Sequence, residues 1–320
     1  MTRITVFVCL LILLVFTWFE RPQLMSKLLL SVNNSLAGLS SKTIETPLGK
    51  IHYLEGGRSD EHAETIVLLH GIFARKEHWV DLARQLTPFY RVIALDLPGF
   101  GNNEQLGFES YFLPHQKHNL SKVLKSLNVK RAHVGANSMG AAVAGLLATS
   151  NPDLVQSIAF IGSPLGVKSS TKSEMELAIE DGVIPLLVQS EEEFIERNAW
   201  LFPVTPYMPS PILKTWMSEE LSTISQNMQI WYAANNLTEA HSLQYLASKL
   251  EMPSLILWCK QDRIFHVSGA GVLHDELPNS QLEILDGCGH LPMLDKAEQV
   301  AELYLNFLMK PKAIDTQATH

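Results

Sequence analysis

Short β-branched runs alternate with helix-like segments along this chain, and one long helix-rich stretch interrupts the rhythm. That pattern predicts an α/β protein with a mostly parallel sheet, helices on both faces and a helical cap insertion. Three observations carry the prediction. Strand-like runs recur at Thr65–Leu69, Arg91–Leu95, Ala132–Val134, Ser157–Ile161, Ser254–Trp258 and Gln281–Leu285. Amphipathic helix-like segments, Trp79–Leu86 and Pro114–Leu127, separate the earlier ones. Finally, Gly135-Ala-Asn-Ser-Met-Gly140 joins an apolar run to the small-residue run Ala141–Leu147. It reads as a strand, a sharp turn with Ser138 at its tip, and a helix packed tightly on the strand.

Taken in order, residues 1–30 are expected to be a membrane anchor or signal segment. Ile4 to Phe19 carries no charge, with Arg3 before it and Glu20-Arg21-Pro22 after it. It is slightly shorter than the roughly 17–25 residues of a typical span. No small-x-small cleavage site follows, so an uncleaved anchor is the expectation and a cleaved signal peptide the alternative. Arg3 places the N-terminus inside and the body across the membrane, with Arg21 and Lys27 opposing. Residues 31–43 read as a linker, rich in Ser and Asn over 31–41. Residues 44–163 read as the first part of the core, opening with a hairpin from Ile44 to Leu54 around Pro47-Leu-Gly49.

The interruption covers residues 164–245, read as the cap. It holds helix-like pieces at Glu174–Ile179 and Glu191–Asn198 and a proline cluster at Pro203, Pro206, Pro209 and Pro211. It also holds Trp200, Phe202, Tyr207, Trp216, Trp231 and Tyr232, expected mostly as core of a small subdomain, with a minority lining a pocket. An insertion there lies over the C-terminal ends of the strands, where open α/β sheets place ligands. Residues 246–310 complete the core and 311–320 form a tail.

The net charge of -8 and the lack of a strongly basic run exclude a nucleic-acid partner. Three cysteines cannot make a disulfide framework. Cys259 and Cys288 each fall beside a candidate catalytic loop and are expected as neighbouring free thiols, with a disulfide as the alternative. No CxxC or HxxxH spacing points to a metal.

A serine hydroxyl is a weak nucleophile unless a base takes its proton and a third group orients that base. A turn at Ser138 would present the hydroxyl above the sheet edge and free the N–H of Met139 to bind an oxyanion. His290, in Gly287-Cys-Gly-His-Leu-Pro292 after the last strand-like run, is the expected base. The acid is expected at Asp262, after Ser254–Trp258, because the preceding strand ends Ile-Gly-Ser-Pro164 without a carboxylate. His266 is a weaker rival for the base, lying in the same loop as Asp262. Asp286 and Asp295 read as solvated loop or cap residues, and Asp96 as a structural turn acid. His70 reads as shaping the loop behind the oxyanion site rather than as a base. The second oxyanion donor is expected at Ile72, with Phe73 the alternative.

Five ordered motifs, His70-Gly-Ile-Phe, Asp96-Leu-Pro-Gly-Phe-Gly, Asn137-Ser-Met-Gly, Asp262-Arg-Ile-Phe and Gly289-His-Leu-Pro, span residues 44–310. In this the chain resembles the α/β-hydrolase superfamily. Through His133-Val-Gly-Ala-Asn-Ser-Met-Gly140 and its apolar N-terminus it is most similar to membrane-anchored monoacylglycerol lipases and the related lipases of cold-living bacteria. The resemblance implies an α/β-hydrolase fold and a carboxylic-ester hydrolase acting on lipid esters at a membrane surface, without a cofactor. It departs from the pattern at Ala136, where the first glycine of GxSxG is usual, and at Cys259, where the acid loop usually has glycine. C–C bond hydrolysis of a meta-cleavage-type product uses the same triad on the same fold, and a non-catalytic ligand-binding member is the reading from another class.

Overall fold

The computed structural model describes residues 2–309, apart from the side chains of 2–4 and 10–13, so the tail expected at 311–320 lies outside the described residues. From the N-terminus run α1 (Thr2–Glu20), α2 (Pro22–Leu36), β1 (Leu39–Thr46), β2 (Gly49–Gly57), β3 (Thr65–Leu69), α3 (Val80–Leu86), β4 (Arg91–Leu95), α4 (Leu113–Ser126), β5 (Ala132–Asn137), α5 (Ser138–Ser150) and β6 (Val155–Pro164). Helices α6 (Glu174–Glu180), α7 (Glu191–Leu201), α8 (Ser210–Leu221), α9 (Ile224–Asn235) and α10 (Leu243–Ala247) follow before the chain returns to the sheet. It closes with β7 (Ser254–Cys259), α11 (Ser268–Glu276), β8 (Ser280–Leu285), α12 (Pro292–Asp295) and α13 (Ala297–Met309).

The eight strands form one sheet in the order β1-β2-β4-β3-β5-β6-β7-β8. The hairpin β1–β2 pairs antiparallel, with Ile44 opposite Ile51, and β2 pairs antiparallel with β4; all other pairs are parallel. The chain winds from β3 outward to β4, then crosses back to β5 on the other side. That reversal opens a crevice at the ends of β3 and β5, where Leu69 and Asn137 stand.

Strand alternation sorts the core into two layers. Val67, Leu69, Ile93, Leu95 and Val134 pack with α4 and α5, while Ile66, Leu68, Val92, Ala94 and Leu257 pack with α3 and α13. Helix α5 is buried from Ser138 to Ala148, which its run of small residues permits. Its closest approach to the sheet is at Gly140, where a Cβ would lie 2.3 Å from the carbonyl oxygen of His70. Only glycine lets the helix sit that low on the strand.

Two expectations are corrected. The stretch read as a linker at 31–41 is not one: α2 continues through Leu36 and β1 starts at Leu39. Tertiary packing overrides the Ser/Asn composition. Met25, Ser26 and Asn34 are buried, α2 packs on α8, and Arg84 donates to the Asn33 side-chain oxygen at 2.7 Å. The expected free thiols are instead joined as a Cys259–Cys288 disulfide, Cα–Cα 5.4 Å, both residues buried. The reason is register: Cys259 pairs with Leu285 at the end of the β7–β8 ladder, so the loop after β8 brings Cys288 back over it. Non-covalent ties support the same junction, since the Lys260 N–H donates to the Leu285 carbonyl and Gln261 donates to Asp286.

A disulfide spanning 29 residues of sequence is worth about 3–4 kcal/mol on chain-entropy grounds. Thiol titration of the unfolded, unreduced protein is therefore expected to find one reactive thiol, Cys9, and three after reduction. A Cys259→Ala/Cys288→Ala variant should lose stability of that order in urea denaturation. Three thiols without reductant would refute the pairing.

Candidate active site

Ser138 is the first residue of α5 and directly follows the last residue of β5, so no loop separates strand from helix. The chain can reverse that fast only by a left-handed residue, and Ser138 has φ +52°. For a residue with a Cβ this costs of order 1–3 kcal/mol, which surrounding contacts must offset. Asn137 supplies two of them. Its amide Nδ2 donates to the carbonyls of Ile161 (2.9 Å) and His290 (3.1 Å), tying the turn to β6 and to the loop carrying His290. The Leu165 N–H donates to the Ser138 carbonyl at 3.1 Å. Ala136 is fully buried and accommodated, in register with Leu69 and Phe160.

The loop after β3 runs across the front of this turn. A Cβ at Gly71 would lie 2.9 Å from the Ser138 Cβ, so only glycine brings this backbone so close. Phe73, two residues on, is itself left-handed at φ +54°. The loop brings Ile72 into the wall of the cavity that Ser138 also lines, and Met139, in the first turn of α5, has no intrahelical acceptor for its own N–H. His70 is held inside rather than exposed as a base. Its Nδ1–H donates to the Gly71 carbonyl (2.7 Å) and its Nε2 accepts from the Leu97 N–H (3.0 Å). Burial drives its pKa down to about 4, so it stays neutral, in the tautomer those two partners require. Asp96 does hold the following turn: it accepts from the Lys76 N–H (2.8 Å), the Lys76 ammonium (2.7 Å) and the Asn102 N–H (2.9 Å).

Asp262 and His290 meet as expected. Asp262 Oδ1 accepts from the N–H groups of Ile264 (2.9 Å) and Phe265 (3.2 Å), which aims Oδ2 at His290 Nδ1, 3.1 Å away. The His290 backbone N–H donates to the Leu201 carbonyl of α7 at 2.9 Å, and Phe265 lies edge-on to its ring. The rivals are occupied elsewhere. His266 pairs with Ser268, Asp286 binds Lys260 and Gln261 at the surface, and Asp295 accepts from the Gly289 N–H.

A third residue was missed. Ser163, at the end of β6, is fully buried and bridges the pair: its hydroxyl donates to Asp262 Oδ2 at 2.5 Å and lies 2.8 Å from His290 Nδ1. The three side chains form a closed triangle on the Nδ1 edge of the imidazole. The sequence signal was present in Gly162-Ser163-Pro164, where a polar residue ends a strand next to the one that carries the acid.

A cavity of about 60 Å³ adjoins Ser138 and His290, with Ile72, Asn137, His78 and Arg197 among its walls. From the cap, Leu186, Arg197 and Leu201 line this cavity; none of the six cap aromatics does, while Trp216 lines a separate cleft beside α2. Trp200 and Trp216 instead lie under the guanidinium groups of Arg263 and Arg75, and Tyr207 and Tyr232 are exposed.

The family model for the alpha/beta hydrolase fold matches residues 64–297. The chain is 29% identical to monoacylglycerol lipase ABHD6 of Mus musculus over 257 residues, 77% of this chain and 76% of that one. The crystal structure of a bacterial membrane phospholipase A is similar over 96% of this chain and 98% of its own, with 33% identity and a TM-score of 0.86. A putative lipase from Acinetobacter baumannii is similar over 89% and 96%, with 26% identity and a TM-score of 0.80.

Gly71→Ala puts a methyl group against Ser138 and is expected to lower stability by about 1–3 kcal/mol in urea denaturation. A variant as stable as the parent would contradict the close approach.

Proposed function

Because the chain belongs to the alpha/beta hydrolase fold family, we propose that it is a serine hydrolase cleaving carboxylic esters of lipids, monoacylglycerols among them. One observation carries the reading. Ser138 is held in a left-handed turn at a cavity it shares with His290, whose Nδ1 edge is filled by Asp262 and Ser163. That leaves Nε2 as the nitrogen available to a serine hydroxyl. The relatives named monoacylglycerol lipase and phospholipase A support lipid esters as substrates.

In the proposed mechanism His290 Nε2 takes the Ser138 proton as the oxygen attacks the ester carbonyl. The N–H groups of Met139 and Ile72 hold the oxyanion; losing one such donor costs about 3 kcal/mol of barrier in comparable enzymes. Asp262 keeps Nδ1 protonated and stabilises the imidazolium. His290 then protonates the leaving alcohol, and water releases the acyl group by the reverse sequence. Ser163 is a positioning residue here: it touches the base on the edge away from the cavity and is itself fully buried, so it does not serve as the nucleophile.

We also place the protein at a membrane. Among the described residues no single helix is long and apolar enough to cross one, but α1 and α2 together form an apolar pair bent by 111°. If α1 stands along the bilayer normal, that bend lays α2 within about 20° of the membrane plane. Leu24, Leu28, Val32 and Leu36, spaced by four residues, are exposed on α2, as an interfacial helix requires. The Cys259–Cys288 disulfide favours an oxidising compartment for the body, in agreement with an N-terminus inside.

Ser138→Ala is expected to abolish p-nitrophenyl ester turnover and fluorophosphonate labelling, and labelling that persists would overturn the nucleophile. Ser163→Ala removes one hydrogen bond from the base and should lower kcat about tenfold with KM within about twofold. Ser163→Thr, which keeps the hydroxyl, should recover most of the loss. An alanine variant with unchanged kcat would remove Ser163 from the machinery.

A further inference from the structure

Helix α8 carries two adjacent carboxylates, Glu219 and Glu220, and each holds an arginine on a different side of the proposed site. Consecutive residues on a helix point about 100° apart, so one helix can grip two elements at once.

Arg75 ends the loop that carries Ile72. Within residues 72–75, its hydrogen bond to Glu219 at 3.0 Å is the only ion pair or side-chain hydrogen bond to another element among the described residues. Ile72 and Phe73 are otherwise held by apolar packing. Trp216, three residues before Glu219 and so on the same face of α8, lies under the Arg75 guanidinium at 4.7 Å. The Trp216 ring also meets that of His78, 5.8 Å between centroids, and His78 lines the cavity at Ser138. One face of α8 thus fixes the far end of the Ile72 loop.

Glu220 reaches the other way. It accepts from both terminal nitrogens of Arg197, one at 2.8 Å, and the two side chains are only 11% and 12% exposed. Such a bidentate pair sets orientation as well as distance. Arg197 stacks on Phe194 at 4.8 Å and lies one turn before Leu201, whose carbonyl accepts the His290 N–H at 2.9 Å. Fold stability does not account for the Arg75 pair, because Glu219 is half exposed and exposed ion pairs contribute little to folding. What the pair restricts is where a loop can sit, and a displacement of about 1 Å in catalytic groups can cost a hundredfold in rate.

We propose that α8 braces both halves of the catalytic machinery, with Glu219 positioning the Ile72 loop through Arg75 and Glu220 positioning His290 through Arg197 and Leu201. Both glutamates are positioning residues, and the assignment rests on the ester-hydrolase reading above.

The two arms differ in what they slow. An oxyanion forms whatever the leaving group, whereas p-nitrophenolate departs without a proton and an alkoxide needs one from the imidazolium. Loosening the Ile72 loop therefore slows both kinds of ester alike, and loosening the base slows alkyl esters more.

The test measures kcat/KM, which reports acylation, for p-nitrophenyl butyrate and ethyl butyrate with the full-length protein in detergent micelles. Glu219→Gln changes a half-exposed residue and should lower both values together by about three- to tenfold. Glu220→Asp keeps the charge beside Arg197 but shortens the side chain by a methylene. It should lower the ethyl ester value about threefold or more beyond the p-nitrophenyl value. Glu180→Gln, which breaks the exposed pair with Lys172 at the end of α6, is the control and should leave both values within about twofold. A Glu219→Gln enzyme inside the control range, or one with unequal losses, would overturn the oxyanion arm. An equal effect on both esters in Glu220→Asp, or none, would overturn the base arm. Parent protein that turns over neither ester would instead overturn the hydrolase reading.

Discussion

Much of the architecture around the proposed site follows from one backbone constraint, the left-handed conformation at Ser138. A strand can pass straight into a helix without a loop only if one residue reverses the chain, and that residue here carries a side chain. The strain is tolerated because neighbouring groups leave the turn no relaxed alternative. Gly71 closes on it from the front, Gly140 lets α5 drop against β3 behind it, and Asn137 clamps it to β6 and to the His290 loop. Relaxing Ser138 would require moving all three neighbours together.

The proposed base is constrained differently, by several weaker ties that converge. Its imidazole is held by Asp262 and Ser163, and its backbone by Asn137 from the core and by Leu201 from the cap. The disulfide joins the two loops that bear acid and base, three residues before Asp262 and two before His290. A covalent link at this place limits relative motion of the acid and base loops, whereas a link elsewhere on the sheet would stabilise the fold without affecting their spacing. The same arrangement explains why Asp262 needs no charged partner: two backbone N–H groups and a serine hydroxyl satisfy its remaining acceptor sites.

The alternation of strands and helices, the sharp turn at Ser138 and the meeting of Asp262 with His290 were legible because each rests on local chemistry: periodicity, a small-residue helix after a tight turn, and loops at strand ends. What escaped depends on distance in space. Ser163 was seen only as the absence of a carboxylate, since nothing near it in sequence shows that its hydroxyl will meet a histidine 127 residues later. The disulfide depended on the register of β7 against β8, which no spacing rule encodes. The supposed linker was misjudged because its polar composition is that of a loop, while Asn33 and Asn34 are used in packing against the body. Which cap aromatic would line a pocket was not legible: Trp216 lines a cleft beside α2, and the cavity at Ser138 takes Leu186, Arg197 and Leu201 from the cap instead.

Helix α7 joins these threads. Its last residue, Leu201, accepts from the His290 N–H and also lines the cavity, and one turn earlier Arg197 lines the same space. Trp200, between them, stacks under Arg263 of the acid loop, which also pairs with Glu174 of α6 and donates to the Ala199 carbonyl. The cap therefore contributes to the proposed site in two ways, a wall of the cavity and the backbone carbonyl that seats the base. A displacement of α7 would change substrate contacts and base position together. Since α2 packs on α8, and α8 on α7, the segment placed here at the membrane surface is mechanically continuous with that helix. Lipid engagement by α2 would thus be felt at His290 through packed helices rather than through a flexible tether.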